Sequence, residues 1–326
     1  MPQTKNPSRP NPPQTRLEQA SKDLRHPAGT RPTVSARWLV SAAAVSVLAA
    51  ALCAWGVLCF LFWQGSWQLL YHPASTNSRT PDAAGLDFDP IAFAPDNSGA
   101  PQLTGWWIPA PGAHYARFTV LYLHGQNGNL SDAVDDLTFL HAVGLNVFAF
   151  DYRGYGQSKP AHPSEALCLE DAGSALNYLT ETRHLPPNTI VVTGKSLGAN
   201  LALEFAAAHP DFAGTILDQP LDAPMNAVFN DPRAALVPAH LLVRDRYDTN
   251  AAASALRIPS FWFESQTSPT ATQTDSRPSA APQAYARMSA PKTLIWLSAN
   301  DPALAAQRSA ALSRWLDDLP LTPARP

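Results

Sequence analysis

The stretch Gly194-Lys195-Ser196-Leu197-Gly198 decides how this chain is interpreted. It follows the apolar, β-branched run 189–193 and precedes the small-residue segment 199–206, so the sequence predicts a strand, a sharp turn and a helix. Glycine on both sides of the serine is typical of a turn that is too tight for side chains at those positions. We therefore expect strained backbone at the serine, with its hydroxyl lifted out of the surface.

A serine raised at the start of a helix has backbone N–H groups beside it that can bind an anion. This arrangement is typical of acyl transfer, in which the hydroxyl attacks a carbonyl carbon. The same serine can also act only as the cap of the helix that follows. The bend at Ser196 is therefore the prediction, and its role as a nucleophile is a hypothesis.

Strand-like and helix-like segments alternate on both sides of this turn. Predicted strands cover 116–124, 146–152, 190–193, 214–217, 258–263 and 292–297, and predicted helices cover 131–143, 164–183, 199–206 and 303–316. Alternating units with continuously apolar strands are typical of a mostly parallel sheet with helices on both faces. Functional groups in such sheets collect at the carboxyl ends of the strands. The predicted fold class is therefore α/β.

The first part of the chain has a different composition. Residues 1–37 are rich in proline and polar residues, with mainly basic charges, which indicates a disordered tail. Residues 38–63 carry no charge and are long enough, as a helix, to cross a hydrocarbon core of ~30 Å. Residues 64–85 are expected to be a linker, and residues 86–320 are expected to form the folded domain.

Basic charge on the N-terminal side of an apolar helix predicts a cytoplasmic N-terminus. We therefore expect a single-pass inner membrane protein whose C-terminal domain is extracytoplasmic, in the periplasm. Two alternatives are a cleaved signal peptide, since Ala49-Ala50-Ala51 resembles a cleavage site, and a buried core helix. The apolar run continues well past those alanines and has no polar face, which favours the membrane anchor.

Composition argues against several classes of function. The net charge of −3 provides no basic field for binding nucleic acid. Of the three cysteines, Cys53 and Cys59 lie in the apolar run, so the predicted domain contains only Cys168 and cannot form an internal disulfide. The sequence has no metal-ligand cluster and no nucleotide-binding motif, and we expect no metal and no cofactor.

Several motifs resemble those of the α/β-hydrolases. The segment 122–129, YLHGQNGN, is similar to their H-G-x-x-G-N turn, and the segment 151–158, DYRGYGQS, is similar to their D-Y-R-G-Y-G-x-S loop. The segment 242–249, LVRDRYDT, resembles the membrane-anchored hydrolase-domain and serine-aminopeptidase-like branch. The resemblance covers about 86–316 and implies the α/β-hydrolase fold.

The resemblance also implies roles for individual residues. Ser196 is the implied nucleophile, and the backbone N–H groups of Gln126 and Leu197 are the implied donors to the oxyanion. Asp151 and Arg153 are expected to brace the loop after their strand. His124 is expected to be structural in its turn.

The sequence departs from the family pattern at the other two catalytic positions. The family places an aspartate after the next-to-last strand and a histidine after the last strand. Here the next-to-last strand runs into Glu264 and 265–269, which contain no aspartate, and the last strand runs into 298–302. Asn300 and Asp301 are the candidate remnant of the family's histidine turn. The last histidine of the whole chain is His240.

One arrangement keeps the chain order of the family's catalytic groups. It combines Ser196 with Asp218 or Asp222 as the acid and with His240 as the base. Asp218 ends a predicted strand, which suits an acid. A lone histidine such as His240 is, however, more often a surface or packing residue.

Two functions remain open at this point. The first is a membrane-anchored serine hydrolase that cleaves an ester, thioester or amide through Ser196, with a small-molecule, lipid or peptide acyl group as its substrate. The second is a catalytically degenerate member of the fold that acts as a binding or scaffold module. The turn and its oxyanion donors favour the first function, and the missing acid and base favour the second.

Overall fold

The computed structural model describes residues 34–94, 99–265, 283–298 and 303–320. Most of the predicted tail 1–37 lies outside the described residues, and so do Asn300 and Asp301. The chain separates into two compact units, residues 1–57 and residues 58–326.

From residue 36 onward, the first unit consists of one long helix, α1 (Ala36–Gly65), which continues into the second unit. Its side chains are mainly alanine, leucine and valine, and most of them are exposed. Within the described residues it is the one helix that is long and apolar enough to cross a membrane. The predicted span 38–63 falls inside it. An apolar surface on all sides suits lipid better than water.

A mostly parallel sheet of eight strands forms the centre of the second unit. Its strands, in spatial order, are β10 (Lys292–Leu297), β9 (Ser260–Ser265), β8 (Gly214–Asp218), β7 (Ile190–Lys195), β4 (Thr119–Leu123), β6 (Asn146–Asp151), β3 (Leu103–Ile108) and β2 (Asp89–Phe93). The pairings of β3 with β2 and with β6 are antiparallel, and the other pairings are parallel. A separate short pairing joins β1 (His72–Pro73) to β5 (Asn127–Gly128).

Helices cover both faces of this sheet and divide its apolar side chains into two clusters. One face carries α2 (Val134–Val143) and α9 (Leu304–Asp317), and the other face carries α3 (Glu165–Asn177), α4 (Leu197–Ala208) and α7 (Thr249–Ala255). The remaining described helices are the short α5 (Asn226–Phe229), α6 (Ala239–Leu242) and α8 (Gln283–Arg287). The inner strands are buried on both faces, which explains their continuously apolar sequences.

Local sequence signals set the ends of these elements. The Ser164 hydroxyl accepts a hydrogen bond from the Leu167 N–H at 3.2 Å and so caps the start of α3. Gly144 ends α2 with a φ of 110°, a conformation that glycine adopts without strain. Pro90 lies in β2, the outermost strand on its side of the sheet, where no further strand needs an N–H donor.

The predicted α/β class is confirmed, and each predicted strand and helix between residues 116 and 316 has a counterpart in the structure. Two regions differ from expectation. The strands β2 and β3 precede the first predicted strand, and part of the expected linker 64–85 packs into the fold. Leu70 and Tyr71 are buried in the apolar core, and the Tyr71 hydroxyl bonds to Asp245 at 2.8 Å and to the Tyr247 hydroxyl at 2.6 Å. These contacts join the stretch to the core.

Candidate active site

Ser196 lies in the turn between β7 and α4. Its backbone φ of 55° and ψ of −124° lie outside the helical and extended regions that a serine normally adopts. Strain of this kind typically costs ~1–3 kcal/mol and persists where the surrounding structure enforces it. The Ser196 N–H donates to the backbone oxygen of Asp218 at 2.9 Å, which holds the turn against β8.

Two glycines make this turn possible. A Cβ on Gly198 would collide with the backbone oxygens of Leu123 and His124. A Cβ on Gly194 would collide with the backbone of Gly198. These obstacles are backbone atoms, so rotating a side chain cannot relieve them. The close approach of β4, β7 and α4 therefore requires the G-x-S-x-G pattern.

The side chain of Gln126 lies against this turn. Its Oε1 accepts hydrogen bonds from the Ser196 hydroxyl at 3.2 Å and from the Leu197 N–H at 3.3 Å. Oε1 therefore occupies the position at which the Ser196 hydroxyl and the first N–H of α4 converge. This contact was not predicted, since the resemblance assigns a role only to the backbone N–H of Gln126.

The turn that carries Gln126 is fixed through its backbone. The Gln126 carbonyl oxygen accepts hydrogen bonds from the Tyr155 hydroxyl and from the His72 N–H, both at 2.9 Å. His72 is also the register partner of Asn127 in the pairing of β1 with β5. The stretch that follows α1 therefore helps to position the group that faces Ser196.

The structure does not bring the carboxylate of Asp218 to the Ser196 hydroxyl. This carboxylate pairs with Arg308 of α9, and Arg308 also lies 4.0 Å from Asp136. Asp218 is two residues from Ile216, whose side chain packs on the face covered by α2 and α9, so strand alternation directs Asp218 to that face. The expected acid of the alternative triad is an ion-pair partner between these helices.

His240 also lies apart from Ser196. Its ring packs against Phe229 with the two centroids 4.1 Å apart, and its side chain is exposed. Among the described residues, the hydrogen-bond partner of the Ser196 hydroxyl is Gln126. The triad expected from Ser196, Asp218 or Asp222, and His240 is therefore not assembled. The physical reason is that Asp218 binds Arg308, whereas His240 packs within the connection between β8 and β9.

His124, Asp151 and Arg153 are structural braces. His124 is buried, and this burial lowers its pKa to about 4, so the ring is neutral. Asp151 accepts a hydrogen bond from the Leu130 N–H at 2.9 Å, and burial raises its pKa to about 7. Arg153 forms an ion pair with the buried carboxylate of Asp171. These contacts hold the loop that follows β6.

Glu264, in β9, was not predicted as a site residue. Its Oε1 is buried without a hydrogen-bond partner in the described structure, and burial together with the charges of Asp222 and Asp218 raises its pKa to about 7. β9 lies two strands from β7, which is a spacing of ~10 Å between the strand axes. The sequence did contain a signal for Glu264. It is an acidic residue near the end of the next-to-last strand, after which the family places its catalytic aspartate.

The segment 242–249 is fixed mainly through its backbone. Both carboxylate oxygens of Glu165 accept hydrogen bonds from it, from the Arg246 N–H at 2.6 Å and from the Tyr247 N–H at 2.7 Å. Tyr71 adds its hydrogen bond to Asp245. The motif that resembles the membrane-anchored branch therefore joins α3 to the stretch after α1.

The site region offers no arrangement for a metal ion within the residues that the structure describes. These residues contain no group of three or more His, Cys, Asp or Glu side chains that could hold one. The nearby carboxylates of Asp136 and Asp218 are instead paired with Lys195 and Arg308.

The fold is that of the α/β-hydrolases. Residues 119–267 match the family model for the alpha/beta hydrolase fold. An esterase from Pyrococcus furiosus is similar in structure, with a TM-score of 0.56 over 77% of this chain and 98% of that chain, at 17% sequence identity. That likeness shows the fold alone. The α/β-hydrolase fold that the motifs implied is confirmed.

Relatives in sequence match shorter regions. An uncharacterized protein of Mycobacterium tuberculosis is 32% identical over 163 residues, which cover 50% of this chain and 56% of that protein. The alpha/beta hydrolase domain-containing protein aho-3 of Caenorhabditis elegans is 33% identical over 125 residues, or 37% of this chain and 35% of that protein. The chain thus spans about half or less of these curated relatives. The second relative is consistent with the branch indicated by 242–249.

Proposed function

We propose that this chain is a membrane-anchored serine hydrolase that cleaves an ester, thioester or amide through an acyl intermediate on Ser196. The observation that carries the proposal is the convergence of the Ser196 hydroxyl and the Leu197 N–H on a single carbonyl oxygen, that of the Gln126 side chain. An acyl substrate that replaces this side chain presents its own carbonyl to the same two groups.

In this reaction the Ser196 oxygen attacks the carbonyl carbon, and the carbonyl oxygen becomes an anion. The Leu197 N–H and the backbone N–H of Gln126 stabilise this oxyanion, and loss of one such donor typically costs about 3–4 kcal/mol of transition-state stabilisation. The N-terminus of α4 adds its positive dipole end. The tetrahedral intermediate then expels the leaving group, and water hydrolyses the acyl-serine.

The Ser196 proton needs an acceptor. Asp218 and His240 are engaged elsewhere, and Glu264 lies on β9, two strands from the strand that leads into Ser196. A carboxyl with a pKa of about 7, such as that of Glu264, supports proton exchange near neutral pH through an intervening group. The activity of the proposed enzyme is therefore expected to depend on Glu264 as well as on Ser196.

The length and apolar surface of α1 support the anchor part of the proposal. The basic residues of 1–37 support a cytoplasmic N-terminus, which puts the hydrolase domain at 86–320 in the periplasm. The substrate would be a small-molecule, lipid or peptide acyl compound, and no nucleic acid is involved.

One observation favours the second candidate, a degenerate hydrolase fold that acts as a binding or scaffold module. The oxygen-binding position beside Ser196 is filled by the chain's own Gln126. If this side chain is never displaced, the site takes no acyl group.

Labelling with a fluorophosphonate probe separates the two candidates. The full chain in detergent is expected to react at Ser196, and Ser196→Ala should abolish the reaction. Ser254→Ala is the matched control, because Ser254 is an exposed serine of α7 whose hydroxyl donates to the Asn250 carbonyl of the same helix. His240→Ala should react like the wild type. Labelling that is absent, or that survives Ser196→Ala, would contradict the proposal.

A further inference from the structure

An apolar groove begins where α1 ends. Its walls include Trp63, Trp67, Leu70, Met225, Val228 and Leu242, and we call it the membrane-proximal groove. Trp63 belongs to the last turn of α1, and the turn Ser66–Leu69 follows directly. Because no spacer separates α1 from this turn, the groove begins where the expected membrane span ends. Tryptophan is enriched at that level of a bilayer.

The second wall of the groove comes from a distant part of the chain. Residues 225–245, here called the cap segment, lie between β8 and β9 and contain α5 and α6. Helix α5 packs against the turn Ser66–Leu69. Met225, Val228 and Leu242 therefore face the first wall across the groove. The cap segment is thus fixed beside the end of α1.

The cap segment also presents apolar side chains outward. Leu241 is 84% exposed and Leu236 is 59% exposed, and Leu241 directly precedes the groove residue Leu242. A single exposed leucine on a soluble protein needs no explanation. Two of them, on the segment that packs against the turn after α1, favour contact with lipid.

A positive charge completes the groove. Arg244 lines it and is exposed, and among the described residues its guanidinium has no ion-pair partner. The carboxylate of Asp245 also lines the groove, where it accepts a hydrogen bond from the Tyr71 hydroxyl. A guanidinium binds phosphate in a bidentate manner. The groove therefore combines an apolar trough with a site for a phosphate at its edge.

We propose that the membrane-proximal groove seats one phospholipid of the bilayer that α1 crosses, with its acyl chain along the apolar walls and its phosphate on Arg244. Leu236 and Leu241 then lie on the lipid surface. This inference rests on the anchoring part of the proposed function. It adds a lipid-binding surface that holds the cap segment against the membrane, whether or not Ser196 is an active nucleophile.

The test uses the full chain in nanodiscs of phosphatidylcholine and phosphatidylglycerol that contain a phosphatidylglycerol with a diazirine on its acyl chain. Irradiation followed by peptide mapping is expected to give adducts on α1 and on the groove residues Met225 and Leu242. Arg244→Glu should lower the groove adducts by about five-fold or more, since one basic residue near an anionic membrane contributes ~1 kcal/mol. Arg257→Glu makes the same charge change at an exposed position outside the groove and should leave the adducts unchanged.

The pattern of adducts distinguishes the lipid site in the groove from the membrane anchor α1. Adducts on α1 without adducts on the groove would overturn the lipid site and leave the anchor intact. Absence of adducts on α1 would overturn the anchor itself. Groove adducts that are insensitive to Arg244→Glu would overturn the phosphate contact and with it the proposal. Fluorophosphonate labelling of the same samples reports on Ser196 separately.

Discussion

Replacing Gln126 with alanine should open the oxygen-binding position beside Ser196. The lost Oε1 accepts hydrogen bonds of 3.2 and 3.3 Å, which are longer than the usual ~2.9–3.0 Å, so each lies toward the lower end of the ~0.5–1.5 kcal/mol range. Together they represent ~1–2 kcal/mol that an entering acyl group has to displace. At ~1.4 kcal/mol per factor of ten, Gln126→Ala should react about five to thirty times faster.

The measurement is the second-order rate constant for fluorophosphonate labelling of the full chain. Gln126→Glu extends the test, because a carboxylate places negative charge where the oxyanion forms and should slow labelling below the wild-type rate. Asn127→Ala is the matched control, since its amide contacts His72 rather than the serine. The thermal unfolding midpoint of each variant shows whether it is folded.

A folded Gln126→Ala variant that labels no faster than the wild type would refute this reasoning. Slower labelling would mean that the Gln126 side chain assists the reaction, for example through its NH2 group. An equal rate would mean that the two hydrogen bonds to Oε1 do not compete with an acyl group.

Three further predictions concern stability. Ser196→Gly should raise the free energy of unfolding by about 1 kcal/mol, since relief of ~1–3 kcal/mol of backbone strain exceeds the entropy cost of a glycine, and a lower unfolding midpoint would contradict this. Gly198→Ala should prevent folding, because its new Cβ collides with the Leu123 backbone. Gly173→Ala is the control, since its new Cβ meets open space in α3. Urea unfolding should show that Gly173→Ala stabilises the protein by ~0.5–1 kcal/mol. Glu264→Gln tests the pKa of about 7, which lies above the unfolded value of ~4.3. The folded wild type binds the proton more tightly, so it loses stability as the pH rises between these values. The glutamine variant should therefore have a higher free energy of unfolding than the wild type at about pH 8 but not near pH 4. A stability gain that is independent of pH would contradict the raised pKa of Glu264.

The sequence was sufficient to predict the parallel strands at the centre of the sheet. The strands β4, β6 and β7 are continuously apolar and buried on both faces, which makes them recognisable without tertiary information. The strands β2 and β3 were missed because Pro90 and Gly105 interrupt their patterns. Gly105 is required there by tertiary structure, since a Cβ would collide with the backbone oxygen of Ala149 in β6.

The candidate site was predictable only where it is local. The bend at Ser196 follows from five consecutive residues, whereas the surroundings of its hydroxyl depend on contacts across the chain. The Gln126 side chain was not predicted because a turn motif does not specify which way a side chain points. Asp218 was misassigned because its partner, Arg308, is 90 residues away in sequence. The hydrogen bond of Tyr71 likewise depends on Asp245, 174 residues further along.

The proline in β2 has a consequence for copies of this protein that lie side by side on one two-dimensional surface. Molecules confined to two dimensions collide often and in similar orientations, which favours joining of sheets through their open edges. Pro90 offers no N–H to an approaching strand, and the adjacent Asp89 adds an exposed charge at the same margin. The edge strand β2 therefore resists edge-to-edge aggregation when many copies of the protein are crowded together.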